Sequence, residues 1–105
     1  KTSGKITGDI TINGRPKDQR VFSRISGYVE QLDVHAPGPT VEESVDFSAS
    51  LRLPPKHAAR KASFIHHILD ILELTPIRAA QVGSLAEGGL SFEQRKRLTM
   101  AVELA

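Results

Sequence analysis

The chain has 105 residues, a formal net charge of +2 and an ordinary globular composition, with 39% hydrophobic and 25% charged residues. It contains no cysteine, which excludes disulfide bonds, thiolate catalysis and zinc sites built on thiolates. No apolar run is long enough to cross a bilayer. A nucleic-acid surface is not favoured either, because acidic and basic residues are mixed and the aromatic residues are only one tyrosine and four phenylalanines, with no tryptophan.

Two short strands are predicted in the first third of the chain. From Gly4 to Asn13, isoleucines partly alternate with polar residues, and the run ends on Asn13-Gly14, which is typical of a strand entering a tight turn. The β-prone piece from Ile25 to Val29, which ends at Gln31, predicts a second strand. Because a two-stranded sheet is marginal in water, we expect these strands to depend on further strands outside this sequence.

Helices are predicted in the rest of the chain. After a loop rich in proline at 32–40, the pair Thr40 and Glu43 has the capping-box pattern and predicts a helix from Val41 to Leu51. Amphipathic spacing of isoleucine and leucine predicts a second helix over 56–74.

A loop and a last helix complete the predicted elements. Thr75-Pro76 interrupts the second helix, and residues 82–89 read as a loop of glycine and small residues. Ser91, with Gln94 three residues later, repeats the capping-box pattern and predicts the start of the final helix. Strands first, helices afterwards and no internal repeat predict a mixed α/β fold.

The ends of the sequence also predict an incomplete unit. It starts at Lys1 without an initiator methionine and ends at Ala105 within an apolar run that has no helix stop signal. We therefore expect a piece of a longer protein.

The run GGLSFEQRKR, from Gly88 to Arg97, has the features of a phosphate-facing helix start. Glycines allow close approach to the backbone, and the first amides of a helix together with its dipole favour anions. Taken alone, a serine between glycines and a helix is most often only an N-cap. The longer sequence makes the indication more specific.

LSFEQRKRLTMAVEL resembles the signature segment of ATP-binding cassette (ABC) transporters, which reads LSGGQ followed by basic residues; Leu90, Ser91 and Gln94 match it. RISGYVEQLDVHAP, TVEESVDFSASLRLP and ELTPIRAAQVG resemble, in this order, the Q-loop region, the helix after it and the approach to the signature. Within the family, the chain most resembles the second nucleotide-binding domain of the pleiotropic-drug-resistance type, the full-size G subfamily.

The resemblance implies an α/β fragment of a P-loop NTPase, the ABC ATPase domain. Residues 1–33 would be the edge of the ATP-binding core with the Q-loop glutamine, 34–90 the rest of the Q-loop and the helical subdomain, and 91–105 the signature motif with the start of its helix. In the full-length transporter the implied activity is ATP hydrolysis coupled to substrate export. The implied location is the cytoplasmic face of a membrane, with the plasma membrane expected, through transmembrane domains. The fragment alone is expected to be inactive, because the sequence contains no G-x-x-x-x-G-K-[ST] loop.

The resemblance also assigns site residues. Gln31 matches the Q-loop glutamine, which reaches the magnesium ion and the attacking water, so it is both the catalytic and the metal-contact candidate. Gly89, Leu90, Ser91 and Gln94 match signature positions that face the γ-phosphate of ATP held by a second nucleotide-binding domain in a head-to-tail pair. ATP and Mg²⁺ are the implied cofactors, and both need segments outside this sequence.

Phe92 and Glu93 stand where the family has two glycines. A carboxylate in the first turn stabilises the helix by about 0.3–1 kcal/mol through the macrodipole, but it repels phosphate. The departure predicts a site that binds nucleotide without hydrolysing it efficiently. Arg95, Lys96 and Arg97 either offset this repulsion or form a solvated basic face.

Two alternatives stay open from the residues alone. One is a helical protein-interaction module with no nucleotide role, and the other, less favoured, is nucleic-acid binding. His66 and His67 are not expected to bind a metal, because adjacent positions on a helix point about 100° apart.

Overall fold

The computed structural model describes residues 4–5, 7–84 and 88–105. Within those ranges, the regular structure consists of helices and two small antiparallel hairpins. The elements are β1 (Thr11–Ile12), β2 (Arg15–Pro16), α1 (Gln19–Ile25), α2 (Val41–Arg52), α3 (Ala58–Ile71), β3 (Gly83–Ser84), β4 (Gly88–Gly89) and α4 (Phe92–Leu104), with short 3-10 helices at Pro55–His57 and Thr75–Ile77. This mixture of helices with short strands is compatible with the predicted α/β class.

The predicted tight turn at Asn13-Gly14 is confirmed. Strands β1 and β2 pair antiparallel with Ile12 opposite Arg15, and Asn13 and Gly14 have φ angles of +50° and +76°. Positive φ at both central positions is the type I′ geometry, which Asn-Gly adopts readily. The first strand is much shorter than the predicted span 4–13, and Ile6 lies outside the described residues.

The predicted strand from Ile25 to Val29 is wrong. Helix α1 ends at Ile25 instead, and residues 26–30 have no regular structure. The Asp18 side chain explains the helix, because it caps the first turn by accepting from the amides of Arg20 at 2.8 Å and Val21 at 3.2 Å. A β-prone sequence forms a strand only when a partner strand pairs with it, and none does so in the described part of the chain.

Helix α2 agrees with the sequence prediction. The Thr40 hydroxyl accepts from the Glu43 amide at 3.2 Å, and the Glu43 carboxylate accepts from the Thr40 amide at 2.8 Å. Both halves of the capping box are therefore made. The hydrogen bonds from the Thr40 amide and hydroxyl hold the pKa of Glu43 below its ordinary value.

Helix α3 is shorter at both ends than the predicted span 56–74. A 3-10 turn occupies its expected start, and Glu73, with φ of +56°, lies just beyond its end at Ile71. The chain then turns back, and the amide of Leu74 donates to the carbonyl of Leu69 at 2.8 Å. The interrupted segment after Thr75 continues only as the short 3-10 helix.

One hydrophobic core lies between α2, α3 and α4. Its buried members are Val41, Val45, Ala49, Ile65, Ile68, Leu69, Leu74, Val82, Leu90, Leu98, Ala101 and Ala105. The core therefore includes Val82 and Leu90, the residues that flank the second hairpin. No helix among the described residues has the length and apolarity to cross a membrane.

The segment predicted as a loop over 82–89 contains the hairpin of β3 and β4. Gly83 pairs with Gly89 and Ser84 with Gly88, while residues 85–87 lie outside the described ranges. The two strands approach so closely that a Cβ on Gly89 would meet the Val82 carbonyl oxygen at 2.4 Å. Glycine is required here because only a residue without a side chain permits this contact.

Candidate functional site

The start of α4 is the structural counterpart of the predicted phosphate-facing run. The Ser91 hydroxyl accepts from the Gln94 amide at 3.2 Å, and the Ser91 amide donates to Gln94 Oε1 at 2.9 Å. This capping box satisfies two amides, so helix geometry leaves those of Phe92 and Glu93 without an intrahelical partner. Ser91, Phe92 and Glu93 are exposed, and the helix behind them has 13 residues.

The approach to Ser91 is fixed by the core. Leu90 is buried, and its amide donates to the Val82 carbonyl at 3.1 Å. Gly88 and Gly89 are exposed and have φ angles of +91° and +141°, which few other residues adopt. A buried leucine, an exposed serine and exposed glycines therefore lie side by side at the approach to α4.

Arg95 is not part of a solvated basic face, and that interpretation is wrong for this residue. Its side chain lies in the core, where Nη2 donates to the carbonyls of Val82 at 3.0 Å and Gly83 at 2.6 Å. Within the described residues, its Nε has no hydrogen-bond partner. Arg95 therefore stabilises the hairpin that leads to Ser91.

Lys96 joins α4 to the segment that contains Gln31. Its Nζ donates to the carbonyls of Glu30 at 2.9 Å and Gln31 at 3.1 Å, and it lies 2.6 Å from Oδ1 of Asp33. The Gln31 side chain is on the exposed surface. The Gln31 backbone therefore lies against the middle of α4, and the side-chain amide of Gln31 faces solvent.

Arg97 pairs with the carboxylate that departs from the family pattern. Its Nη2 lies 2.5 Å from Oε1 of Glu93, one turn earlier on the same helix, and its Nη1 contacts Glu73. The hydrogen bonds that Arg97 donates to Glu73 and Glu93 raise its pKa. The predicted offset of the Glu93 charge therefore has a direct structural basis in Arg97, while Arg95 and Lys96 are engaged elsewhere.

A buried polar cluster lies between the Gln31 segment and α4. The Asp33 side chain is only 5% exposed, and its Oδ1 accepts from Lys96 and from the Thr99 hydroxyl at 2.7 Å. His35 Nε2 lies 2.9 Å from the same hydroxyl. The single Thr99 hydroxyl proton has two neighbours that can only accept, Oδ1 of Asp33 and the Arg95 carbonyl at 3.0 Å, so the histidine is assigned as the donor in this contact.

Burial and hydrogen bonding act in opposite directions on the two titratable groups of this cluster. Burial raises the pKa of Asp33, but hydrogen bonds from Lys96 and Thr99 outweigh it and leave the pKa below its ordinary value. Burial lowers the pKa of His35, and this effect exceeds the opposing hydrogen bond with the Arg95 backbone. Asp33 is therefore ionised and His35 neutral near pH 7.

Sequence reasoning missed Asp33 and Thr99 as members of a site. Asp33 follows Gln31 closely in the sequence, but Thr99 is 66 residues away, and only the packing of α4 brings the two together. A contact between residues so far apart in the sequence cannot be predicted from their spacing. The Lys96 contact with the Gln31 backbone was missed for the same reason.

The donor groups at the start of α4 fit a phosphate in part. Two free amides, the helix dipole and the Ser91 hydroxyl favour an anion, whereas the Glu93 carboxylate opposes one. For magnesium, Gln31 offers one amide oxygen, and no cluster of three or more carboxylate or histidine groups that could hold a metal occurs in the described ranges. A magnesium ion here would need further ligands from other segments.

Similarity to known proteins covers nearly the whole chain. No protein-family model matches, but the chain is 56% identical over 105 residues to ABC transporter G family member 40 of Arabidopsis thaliana, an alignment that covers 99% of this chain and 7% of that protein. It is 58% identical over 106 residues to ABC transporter G family member 37 of Oryza sativa subsp. japonica, again with 99% of this chain and 7% of that protein.

By sequence, the chain is homologous to a segment of G-family ABC transporters. It spans about 7% of the length of these curated relatives. The homology supports the resemblance drawn from the signature and Q-loop phrases at the level of the G family. Ser91 and Gln94 of the capping box lie within the aligned segment.

Proposed function

We propose that the chain is the middle part of a nucleotide-binding domain in an ABC transporter, where ATP binding and hydrolysis drive substrate export across a membrane. The homology to G-family transporters and the start of α4 support this proposal. In the full-length protein, this domain is the second of two, of the pleiotropic-drug-resistance type. It works with transmembrane domains at the cytoplasmic face, with the plasma membrane as the expected membrane.

The observation that carries the proposal is the geometry around Ser91. An exposed hydroxyl and two free helix amides follow a glycine turn that is anchored in the core by Leu90. Such an end attracts phosphate through unpaired N–H groups and the helix dipole. Gly89, Ser91 and Gln94 thus lie where the γ-phosphate of ATP bound by the partner domain would approach, and the buried Leu90 holds them there.

Gln31 is the proposed contact to magnesium and to the attacking water. A neutral amide offers a carbonyl oxygen to magnesium and a donor to the attacking water without titrating. The segment around it, up to residue 33, belongs to the edge of the ATP-binding core, and residues 34–90 form the helical subdomain. Because the lysine and metal ligands that hold ATP lie in other segments, the chain alone should not turn over ATP.

Phe92 and Glu93 make the proposed site unusual. The Phe92 ring is 69% exposed and the Glu93 side chain 73% exposed, so both stand at the surface that phosphate would approach. The ring limits close approach of the backbone, and the carboxylate opposes the phosphate charge. We infer a site that binds nucleotide and hydrolyses it slowly, with Arg97 compensating part of the Glu93 charge.

The proposal is tested by comparing two capping-box variants in the full-length transporter. Ser91→Ala and Thr40→Ala each remove a hydroxyl that accepts from an amide at 3.2 Å, so both weaken a helix start similarly. Only Ser91 is proposed to contact ATP. Ser91→Ala should therefore lower the rate of ATP hydrolysis by about tenfold or more, while Thr40→Ala changes it little. Equal rates for the two variants would contradict the proposal.

A further inference from the structure

The ammonium group of Lys96 has all three of its donors engaged by one short segment. The acceptors are the carbonyl of Glu30 at 2.9 Å, the carbonyl of Gln31 at 3.1 Å and Oδ1 of Asp33 at 2.6 Å. A lysine ammonium has three N–H bonds, so this arrangement uses its full donor capacity. Charge-assisted hydrogen bonds of this kind are stronger than neutral ones.

The same segment makes a second contact one turn further along α4. Asp33 Oδ1 also accepts from the Thr99 hydroxyl at 2.7 Å, and the Asp33 side chain is only 5% exposed. Lys96 and Thr99 are three residues apart and therefore lie on one face of the helix. Asp33 is thus held between two side chains of α4.

The backbone of this segment makes few other contacts to the described part of the chain. Residues 26–30 have no regular structure, and within the described ranges no backbone–backbone hydrogen bond joins residues 27–36 to another element. The neighbouring side chains Tyr28 and Leu32 are 78% and 76% exposed. Within the described residues, the hydrogen bonds that hold the Gln31 backbone therefore come from a side chain of α4.

We propose that Lys96 is a positioning residue, which fixes the Gln31 backbone to the helix that begins at Ser91 and so links the two candidate nucleotide contacts of this chain. This inference rests on the proposed function, since it assigns Lys96 a role through Gln31. Lys96 does not itself touch ATP in this proposal. Through this contact, a movement of α4 also shifts the backbone of Gln31.

A control ion pair lies between helices α2 and α3. Lys61 Nζ is 2.8 Å from Oδ1 of Asp46, its side chain is 31% exposed against 26% for Lys96, and it also donates to the Ser50 hydroxyl. Both lysines thus form an ion pair between elements and have similar exposure, although the Asp46 side chain is 47% exposed and that of Asp33 only 5%. Only Lys96 contacts the Gln31 backbone, so Lys61→Met controls for the loss of a lysine ion pair.

The first test measures position directly in the full-length transporter. Spin labels on Leu32→Cys and Met100→Cys, in a background without other reactive cysteines, report the distance between the segment and α4 by pulsed electron resonance. Lys96→Met should broaden this distance distribution, and Lys61→Met should leave it unchanged. An unchanged distribution in Lys96→Met would overturn the inference.

The second test asks whether Lys96 acts through Gln31. Lys96→Met should lower kcat for ATP hydrolysis by about tenfold with little change in KM, within the roughly hundredfold cost of displacing a catalytic group by 1 Å. In a Gln31→Ala background, the same change should have almost no further effect, because the residue it positions is gone. Fully multiplicative effects on kcat would overturn the inference.

Two comparisons keep the outcomes separate. If Lys96→Met does not fold, Lys96→Arg takes its place, because a planar guanidinium keeps the Asp33 charge pair but cannot reproduce three convergent donors. If the wild-type transporter hydrolyses no ATP, the proposed function fails, while the spin-label distances still decide the Lys96 contact. If Gln31→Ala is slow and Lys96→Met is as fast as wild type, only the present inference fails.

Discussion

The guanidinium of Arg95 donates to the carbonyl of Val82 at 3.0 Å, inside the core and directly below the turn that leads to Ser91. The same nitrogen donates to the Gly83 carbonyl at 2.6 Å. A basic residue of the signature run thus supports the geometry of the candidate site from within. The positive charge of Arg95 points into the core and not toward the start of α4.

Replacing Arg95 with methionine should destabilise the chain. The change keeps much of the apolar stem but removes the donor to the Gly83 carbonyl, which we expect to cost about 1–3 kcal/mol of unfolding free energy. Arg52→Met is the control, because Arg52 is a half-exposed residue whose partner Glu103 lies at 3.3 Å. It should cost less than about 1 kcal/mol. Urea denaturation followed by circular dichroism measures both, and equal losses would contradict a buried role for Arg95.

Alanine at Gly89 should be much more damaging than alanine at Gly88. Both glycines have positive φ angles, so both variants carry backbone strain of about 1–2 kcal/mol. A Cβ on Gly89 would also meet the Val82 oxygen at 2.4 Å, whereas a Cβ on Gly88 has nothing within 4 Å. Gly89→Ala should therefore lower the free energy of unfolding by about 1–3 kcal/mol more than Gly88→Ala does, which is the usual cost of overpacking. Similar denaturation midpoints for the two variants would refute the close approach of the two strands.

Removing Arg97 should expose the effect of Glu93 on nucleotide binding. With its partner gone, the Glu93 carboxylate repels phosphate more strongly, so Arg97→Met should raise KM for ATP in the full-length transporter about two- to fivefold, the range of exposed ion pairs. Glu93→Gln in the same protein should reverse this increase. Arg78→Met, which breaks a similarly exposed pair with Glu42 at 3.9 Å, is the control and should leave KM unchanged. Failure of Glu93→Gln to restore KM would count against a direct role for that charge.

The contact between the Gln31 segment and α4 should loosen at acidic pH. Burial lowers the pKa of His35, so a detached His35, with an ordinary pKa near 6.5, binds protons more readily than the packed one. Linkage then fixes the sign: the contact is fully stable above about pH 6.5 and weakens as the pH falls below it. Asp33, Arg95 and Lys96 are the charged groups that face this histidine.

The distance between labels at Leu32 and Met100 measures this change. We expect a broader distribution at pH 5.5 than at pH 7.5, and the pH dependence should disappear in His35→Gln. A pH dependence that persists in His35→Gln would assign it to another group.

Local signals predicted the starts of α2 and α4 correctly. Thr40 with Glu43 and Ser91 with Gln94 are capping boxes in the structure as in the sequence, because each is closed by groups three residues apart. The Asn13-Gly14 turn was predictable for the same reason. Features that depend on neighbours in sequence can be derived from sequence.

The errors came from features that depend on distant partners. Ile25 to Val29 is β-prone, but no described strand pairs with it, and the Asp18 cap starts a helix that extends to Ile25. The contacts of the three basic residues could not be predicted from the sequence either. Arg95 points into the core, Lys96 to the Gln31 segment and Arg97 to Glu73. Three adjacent basic residues have three different environments once α4 is packed.

The central claim is that the start of α4 faces the γ-phosphate of ATP held by a second domain. The most direct measurement is an electron cryomicroscopy structure of the full-length transporter arrested with ATP and Mg²⁺ before hydrolysis. We predict a γ-phosphate oxygen within about 3.5 Å of the Ser91 hydroxyl, with the amides of Phe92 and Glu93 turned toward it. A structure in which ATP is bound between the two domains while Ser91 faces solvent would contradict the claim.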